Sequence, residues 1–136
     1  MRRVVLDTNV YVSALLAPAG SPAQILESWG DDQFDVIVSP LLLAELEHVL
    51  RRRKFSNSIP AVQVDALLSS LSEDGVEVAD PQAQPGATPD PGDDYLVVLA
   101  QTADADCIVS GDAHLTQLID PRPPVLSPRE FLNGIG

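Results

Sequence analysis

Apolar residues in this chain follow two rhythms. Residues 4–6, 107–109 and 125–126 are short apolar runs without polar alternation, and 34–38 and 76–78 are similar runs each interrupted by one acid. That pattern suits strands buried on both faces of a parallel sheet. Between them lie longer stretches that read as helices: 10–16, 22–29, 40–50, 58–71, 95–102 and a short final one to residue 132. Strands alternating with helices from end to end predict the α/β class, a three-layer α/β/α sandwich with a mainly parallel central sheet. At 136 residues the expectation is one domain, 1–136, large enough to bury its own core.

The punctuation supports these elements. Ser21-Pro22-Ala23-Gln24, Ser39-Pro40 and Ser127-Pro128-Arg129-Glu130 each join a serine cap to a proline at the first helical position, and the first and third can close a capping box. In 40–50, Leu42, Leu43, Leu46, Val49 and Leu50 share one face, and Glu45 lies about 40° outside its edge, able to reach out from the packed surface. In 58–71, Ile59, Val62, Ala66 and Leu67 are loosely spaced for one face. Residues 79–92 contain four prolines and read as a loop. The stretch 95–102 is apolar nearly all round, a buried helix entered through Asp93 and Asp94, which could serve only as its N-cap and first-turn acid.

Two acids end buried strands. Asp7 follows 4–6, and Asp112 follows 107–109 by way of Ser110-Gly111. Parallel crossovers bring all strand carboxyl ends to one edge, where ligands of open α/β sheets bind. Asp7 is therefore either a helix cap or a site residue. If the helices carrying Glu45 and Asp93 open on that edge, three or four carboxylates converge. Such a cluster would force a proton onto one member unless a cation compensated. An all-oxygen set suits Mg²⁺ or Mn²⁺, which can activate a water for in-line attack on a phosphodiester without a protein nucleophile. His114 reads as a ligand, a general base or an exposed helix residue.

Charge narrows the picture. With 20 acidic against 8 basic residues the net charge is −12, which excludes a generic nucleic-acid coat. Bound cations, or the basic run Arg51-Arg52-Arg53-Lys54, would have to offset the repulsion. One cysteine, Cys107, excludes an intrachain disulfide and a cysteine-based zinc site, and reads as a core residue. No apolar run is long enough to span a bilayer or to serve as a signal peptide, so no membrane association and a cytoplasmic location are expected.

Residues 4–16 (VVLDTNVYVSALL), Ser39-Pro40 leading to Leu43-Ala44-Glu45, Arg51-Arg52-Arg53-Lys54-Phe55, Asp90-Pro91-Gly92-Asp93-Asp94 and Ile108-Val109-Ser110-Gly111-Asp112 together resemble a PIN domain. The similarity is to the toxin subfamily of bacterial toxin–antitoxin pairs, relatives of the VapC ribonucleases, and covers nearly the whole chain. The resemblance implies a Mg²⁺- or Mn²⁺-dependent endoribonuclease. It matches the family's acids to Asp7, Glu45, the Asp93-Asp94 pair (Asp93 favoured) and Asp112, with Asp7, Asp93 and Asp112 on the metal. It also implies Asn9 and Ser110 as supporting residues, an RNA substrate, homodimerisation, and neutralisation by a small antitoxin. RNA contacts from Arg51, Arg52, Arg53 and Lys54 are a further expectation.

Two other classes fit an acidic sheet edge: a phosphoacceptor signalling domain or aspartate-nucleophile phosphatase, and a PIN fold without catalysis that acts only as a binding module. Asp7-Thr8-Asn9 lacks the phosphatases' second aspartate, and no lysine follows Gly75. Every expected acid is present, which weighs against a degenerate site.

Overall fold

The apolar runs do become strands, and the three central ones are buried on both faces while the two at the edges are only partly covered. In the computed structural model, which describes residues 2–81, 91–116 and 122–135, they form β1 (Arg3–Leu6), β2 (Asp35–Val38), β3 (Val76–Glu77), β4 (Cys107–Val109) and β5 (Val125–Leu126). The sheet order is β3-β2-β1-β4-β5, and every pairing is parallel. Side chains alternate between its faces as strand geometry requires. Val4, Leu6, Val36, Val38, Cys107 and Val109 enter one core, and Val5, Ile37, Ile108 and Val125 the other.

Helices cover both faces, giving three layers. The first core is closed by α1 (Thr8–Leu16), α2 (Ser21–Gly30), α3 (Pro40–Leu50), α4 (Ala61–Asp74) and α7 (Pro128–Ile135), with Phe131 edge-on to Phe34 at 5.0 Å between ring centroids. The second is closed by α5 (Pro91–Thr102) and by Leu115 of α6 (Ala113–Thr116). A 3₁₀ turn, Arg53–Phe55, links α3 towards α4. Among the described residues no helix is long and apolar enough to cross a membrane.

Local chemistry sets the starts of α3 and α7. Ser39 Oγ accepts from Leu42 N at 3.2 Å, and the Ser127 capping box closes in both directions, Ser127 N to Glu130 Oε1 at 2.9 Å and Glu130 N to Ser127 Oγ at 3.2 Å. Hydrogen bonding from Ser127, its backbone N–H first, holds the Glu130 carboxyl below its usual range.

Three expectations need correction. Gly20, not Ser21, is the N-cap of α2, and Gln24 Nε2 reaches the Ala19 carbonyl instead of closing a box. The fourth helix starts at Ala61, because a residue before proline is driven out of the helical region, and Pro60 thereby excludes Ile59. Its inward face is Val64, Leu67, Leu68 and Leu71, and Val62 is 71% exposed. Finally, α5 begins at Pro91, so Asp93 is within its first turn and not its N-cap.

Tyr11 on α1 is fully buried, and its hydroxyl has no hydrogen-bond partner among the described residues. A buried hydroxyl without a partner forfeits about 1–3 kcal/mol of solvation. Tyr11→Phe is therefore expected to raise stability by about 1 kcal/mol and the melting temperature by a few degrees, on the order of 2–6 °C. Paired urea and thermal melts would check this, and a lower midpoint for the variant would contradict it.

Candidate functional site

The sheet reverses its direction of growth at β1. The chain proceeds outwards from β1 to β2 and β3, then crosses to the other side of β1 for β4 and β5. The carboxyl ends of β1 and β4 therefore flank a topological switch point, where the departing connections diverge and leave a crevice. Leu6 pairs with Val109, and Asp7 N donates to the Val109 carbonyl at 3.0 Å, so Asp7 and Ser110 emerge side by side.

Asp7, Ser39 and Ser110 are the buried polar residues among those described, and each directly follows one of the three central strands. Burying polar groups is costly unless they find partners. Here they do. Ser110 Oγ donates to Asp7 Oδ2 at 2.8 Å and accepts from Asp112 N at 2.9 Å. Asn9 Nδ2 donates to Asp7 Oδ2 at 3.2 Å, and Asn9 Oδ1 accepts from Gly111 N at 3.4 Å. Thr8 Oγ1 and Asn9 N each reach Asp7 Oδ1 at 3.4 Å. Asp7 is thus both the N-cap of α1 and a member of a polar cluster that includes Asp112.

Burial raises the Asp7 carboxyl above its usual range. The Ser110, Asn9 and Thr8 hydrogen bonds oppose this, while the charge of Asp112 adds to it. Two acids on adjoining strand ends are thus close enough to influence each other. A hard divalent cation, which binds through one or two carboxylates and keeps several waters, fits this all-oxygen pair. Among the described residues no group of three or more acidic, histidine or cysteine side chains is gathered to hold a metal ion. The Asp7–Asp112 pair is what the described part contributes.

The other predicted residues are distributed as follows. Glu45 is exposed on α3 beside its buried stripe of Leu42, Leu46 and Leu50, and its charge acts on Tyr95 of α5. Asp93 and Asp94 belong to the first turn of α5, and their side chains lie outside the described residues, as does that of His114. Cys107 is buried in β4, and burial pushes its thiol up to about 11. The basic run follows α3, about 16 Å along the axis from its start. All four residues of the run are exposed; Arg51 is paired with Glu47 at 2.9 Å and Asp65 at 2.5 Å, and Lys54 lies 5.0 Å from the Phe55 ring centroid.

A second polar cluster lies outside the sequence-based expectations. Ser39 Oγ and the Tyr95 hydroxyl share a short hydrogen bond, Tyr95 also donates to Asp80 Oδ1 at 2.7 Å, and both Asp80 oxygens accept from Leu41 N at 3.1–3.2 Å. Burial raises the Tyr95 phenol, helped by Asp80, to about 12. Burial would raise Asp80 too, but the bonds from Tyr95, Ser39 and Leu41 outweigh it and hold that carboxyl low. Nothing local in the sequence signals the link between residues 39, 80 and 95.

The family model described as PIN domain matches residues 3–114, most of the chain and both strand-end acids. The chain belongs to the PIN domain family. Among its relatives, the uncharacterised protein MJ1680 of Methanocaldococcus jannaschii is 28% identical over 122 residues, 87% of this chain and 76% of that protein. Two solved structures share the PIN fold. PAE2754 from Pyrobaculum aerophilum has a TM-score of 0.67 at 11% identity, covering 99% of this chain and 89% of its own. VapBC2 from Rickettsia felis, solved bound to a DNA fragment from its promoter, has a TM-score of 0.62 at 17% identity, covering 92% and 98%. At the level of the family, PIN domains are generally nucleases.

Proposed function

We propose that this PIN domain is a Mg²⁺- or Mn²⁺-dependent endoribonuclease, the toxin of a toxin–antitoxin pair. The observation that carries the reading is Asp7, buried at the switch point and joined to Asp112 through Ser110. A carboxylate kept in a place that disfavours its charge is a recurrent mark of functional sites. When bound, the cation would neutralise this pair and supply an activated water for phosphodiester hydrolysis.

The chain's own residues have separate tasks in this reading. Asp7 and Asp112 hold the cation, with Asp93 as the third acid and Asp94 as the alternative. Glu45 orients or deprotonates the attacking water from the rim. Ser110 and Asn9 hold Asp7 in place. A cleft of about 240 Å³, lined by Asn9, Val10, Ser13, Pro22, Gly111 and Pro128, adjoins the pair and offers a place for the substrate chain. Arg52, Arg53 and Lys54 offer phosphate contacts that would compensate in part for the net charge of −12. A small antitoxin protein and a second copy of the chain are the proposed partners.

The test is cleavage of a mixed pool of structured and unstructured RNAs with Mn²⁺, Mg²⁺ or EDTA. Metal-dependent cleavage at defined sites is expected. Intact RNA together with no calorimetric Mn²⁺ binding would overturn the reading.

A further inference from the structure

The Ser39–Tyr95–Asp80 cluster ties together parts of the chain that carry proposed site residues. Ser39 directly follows β2 and caps α3, the helix of Glu45. Tyr95 follows Asp93 and Asp94 on the first turns of α5. Asp80 lies beyond β3 and joins the same cap, since its oxygens accept from Leu41 N while Ser39 accepts from Leu42 N.

The proton inventory gives this cluster a direction. A carboxylate can only accept, so the Tyr95 hydroxyl hydrogen goes to Asp80. Tyr95 then has only lone pairs for Ser39, so the Ser39 hydrogen is directed to the Tyr95 and Asp80 side of the cluster, leaving Ser39 Oγ free to accept from Leu42 N. Donors run in one sense, from α3 through Ser39 and Tyr95 to Asp80, an arrangement in which each bond polarises the next. Ser39 is fully buried, so breaking the chain strands its hydroxyl away from water.

We propose that Tyr95, Ser39 and Asp80 form a positioning clamp that fixes the first turn of α5 against the start of α3, and so sets Asp93 or Asp94 and Glu45 relative to Asp7. Tyr95 and Asp80 are positioning residues that act through those acids. The clamp rests on the metal-dependent nuclease reading, and its test separates the two.

Tyr95→Phe keeps the ring and removes the hydroxyl. It is expected to weaken Mn²⁺ binding about 10-fold, the low end of the effect of losing a residue that orients metal ligands, and to lower kcat with little change in KM for RNA. Asp80 is exposed, so Asp80→Ala tests the clamp without opening the core. It should also weaken Mn²⁺ binding several-fold. Asp80→Asn retains a carbonyl oxygen where Oδ1 accepts from both Tyr95 and Leu41, and should restore binding to within about twofold.

Calorimetric Mn²⁺ titration of the full chain and its variants, beside RNA turnover, decides the matter. Wild-type binding with unchanged affinity in both Tyr95→Phe and Asp80→Ala would overturn the clamp and leave the nuclease reading intact. So would equal losses in Asp80→Ala and Asp80→Asn. Absence of Mn²⁺ binding by the wild-type protein would overturn both.

Discussion

Asp7→Asn is expected to abolish metal-dependent RNA cleavage, with a loss of at least about 100-fold, while leaving the fold intact. The substitution replaces one carboxylate oxygen by a donor of nearly the same size. It removes the charge that holds the cation and the repulsion from Asp112 together. The same change has a second signature that needs no substrate. A carboxyl whose folded-state pKa is raised contributes stability that is fully present below its unfolded value, near 3.8, and is lost as the pH rises through the folded value. At neutral pH the buried, ionised Asp7 therefore works against the metal-free fold. The stability of Asp7→Asn relative to wild type should accordingly improve as the pH rises from about 4 to 7, a direction set by linkage. Mn²⁺ should raise the melting temperature of the wild type and not of the variant. Urea melts at several pH values, with and without Mn²⁺, measure all of this. A stability difference independent of pH would show that Asp7 is not the strained group.

Ser110→Ala is the second large effect. Ser110 is fully buried, and its hydroxyl serves both Asp7 Oδ2 at 2.8 Å and Asp112 N at 2.9 Å. No water can readily replace it there. The bond to the Asp7 carboxylate is worth about 1.5–3 kcal/mol and the neutral one from Asp112 N about 0.5–1.5 kcal/mol, so a loss of about 2–3 kcal/mol is expected after partial relaxation. Because the Ser110 bond is the leading influence holding the Asp7 carboxyl down, its removal should also steepen the pH dependence just described. Mn²⁺ affinity should fall about 10–100-fold, as for other residues that orient metal ligands. Ser13→Ala serves as a control, since Ser13 is exposed on α1 and should shift stability by no more than about 0.5 kcal/mol. A silent Ser110→Ala would mean that Asp7 is held by Asn9 and Thr8 alone.

Elements with a strong local cause are legible in the sequence. The β4 and β5 boundaries match the apolar runs, α3 and α7 start at their serine–proline pairs, and the buried face of α3 follows its leucine spacing. Where two local signals compete, the sequence misleads. Pro60 overrides a loose apolar pattern in α4, and a glycine displaces Ser21 as the cap of α2. The four-residue α6 is too short to show any periodicity.

For the candidate site, the sequence by itself determined that Asp7 and Asp112 would stand at strand ends, because a short apolar run followed by an acid admits little else. Spacing also raised Glu45 and Asp93 as possible members of the cluster, and the resemblance to PIN domains added Asn9 and Ser110 and gave each acid its role. Tertiary structure alone decided that β4 lies against β1, since strand order depends on which crossovers bury the most apolar surface and not on any local signal. That one adjacency makes Ser110 the bridge between Asp7 and Asp112 across a separation of more than a hundred residues in the chain. The same holds for Ser39, Tyr95 and Asp80. Each has an ordinary local role as a cap, a helix residue or a loop acid, and they become one hydrogen-bonded chain only when α5 packs beside the start of α3.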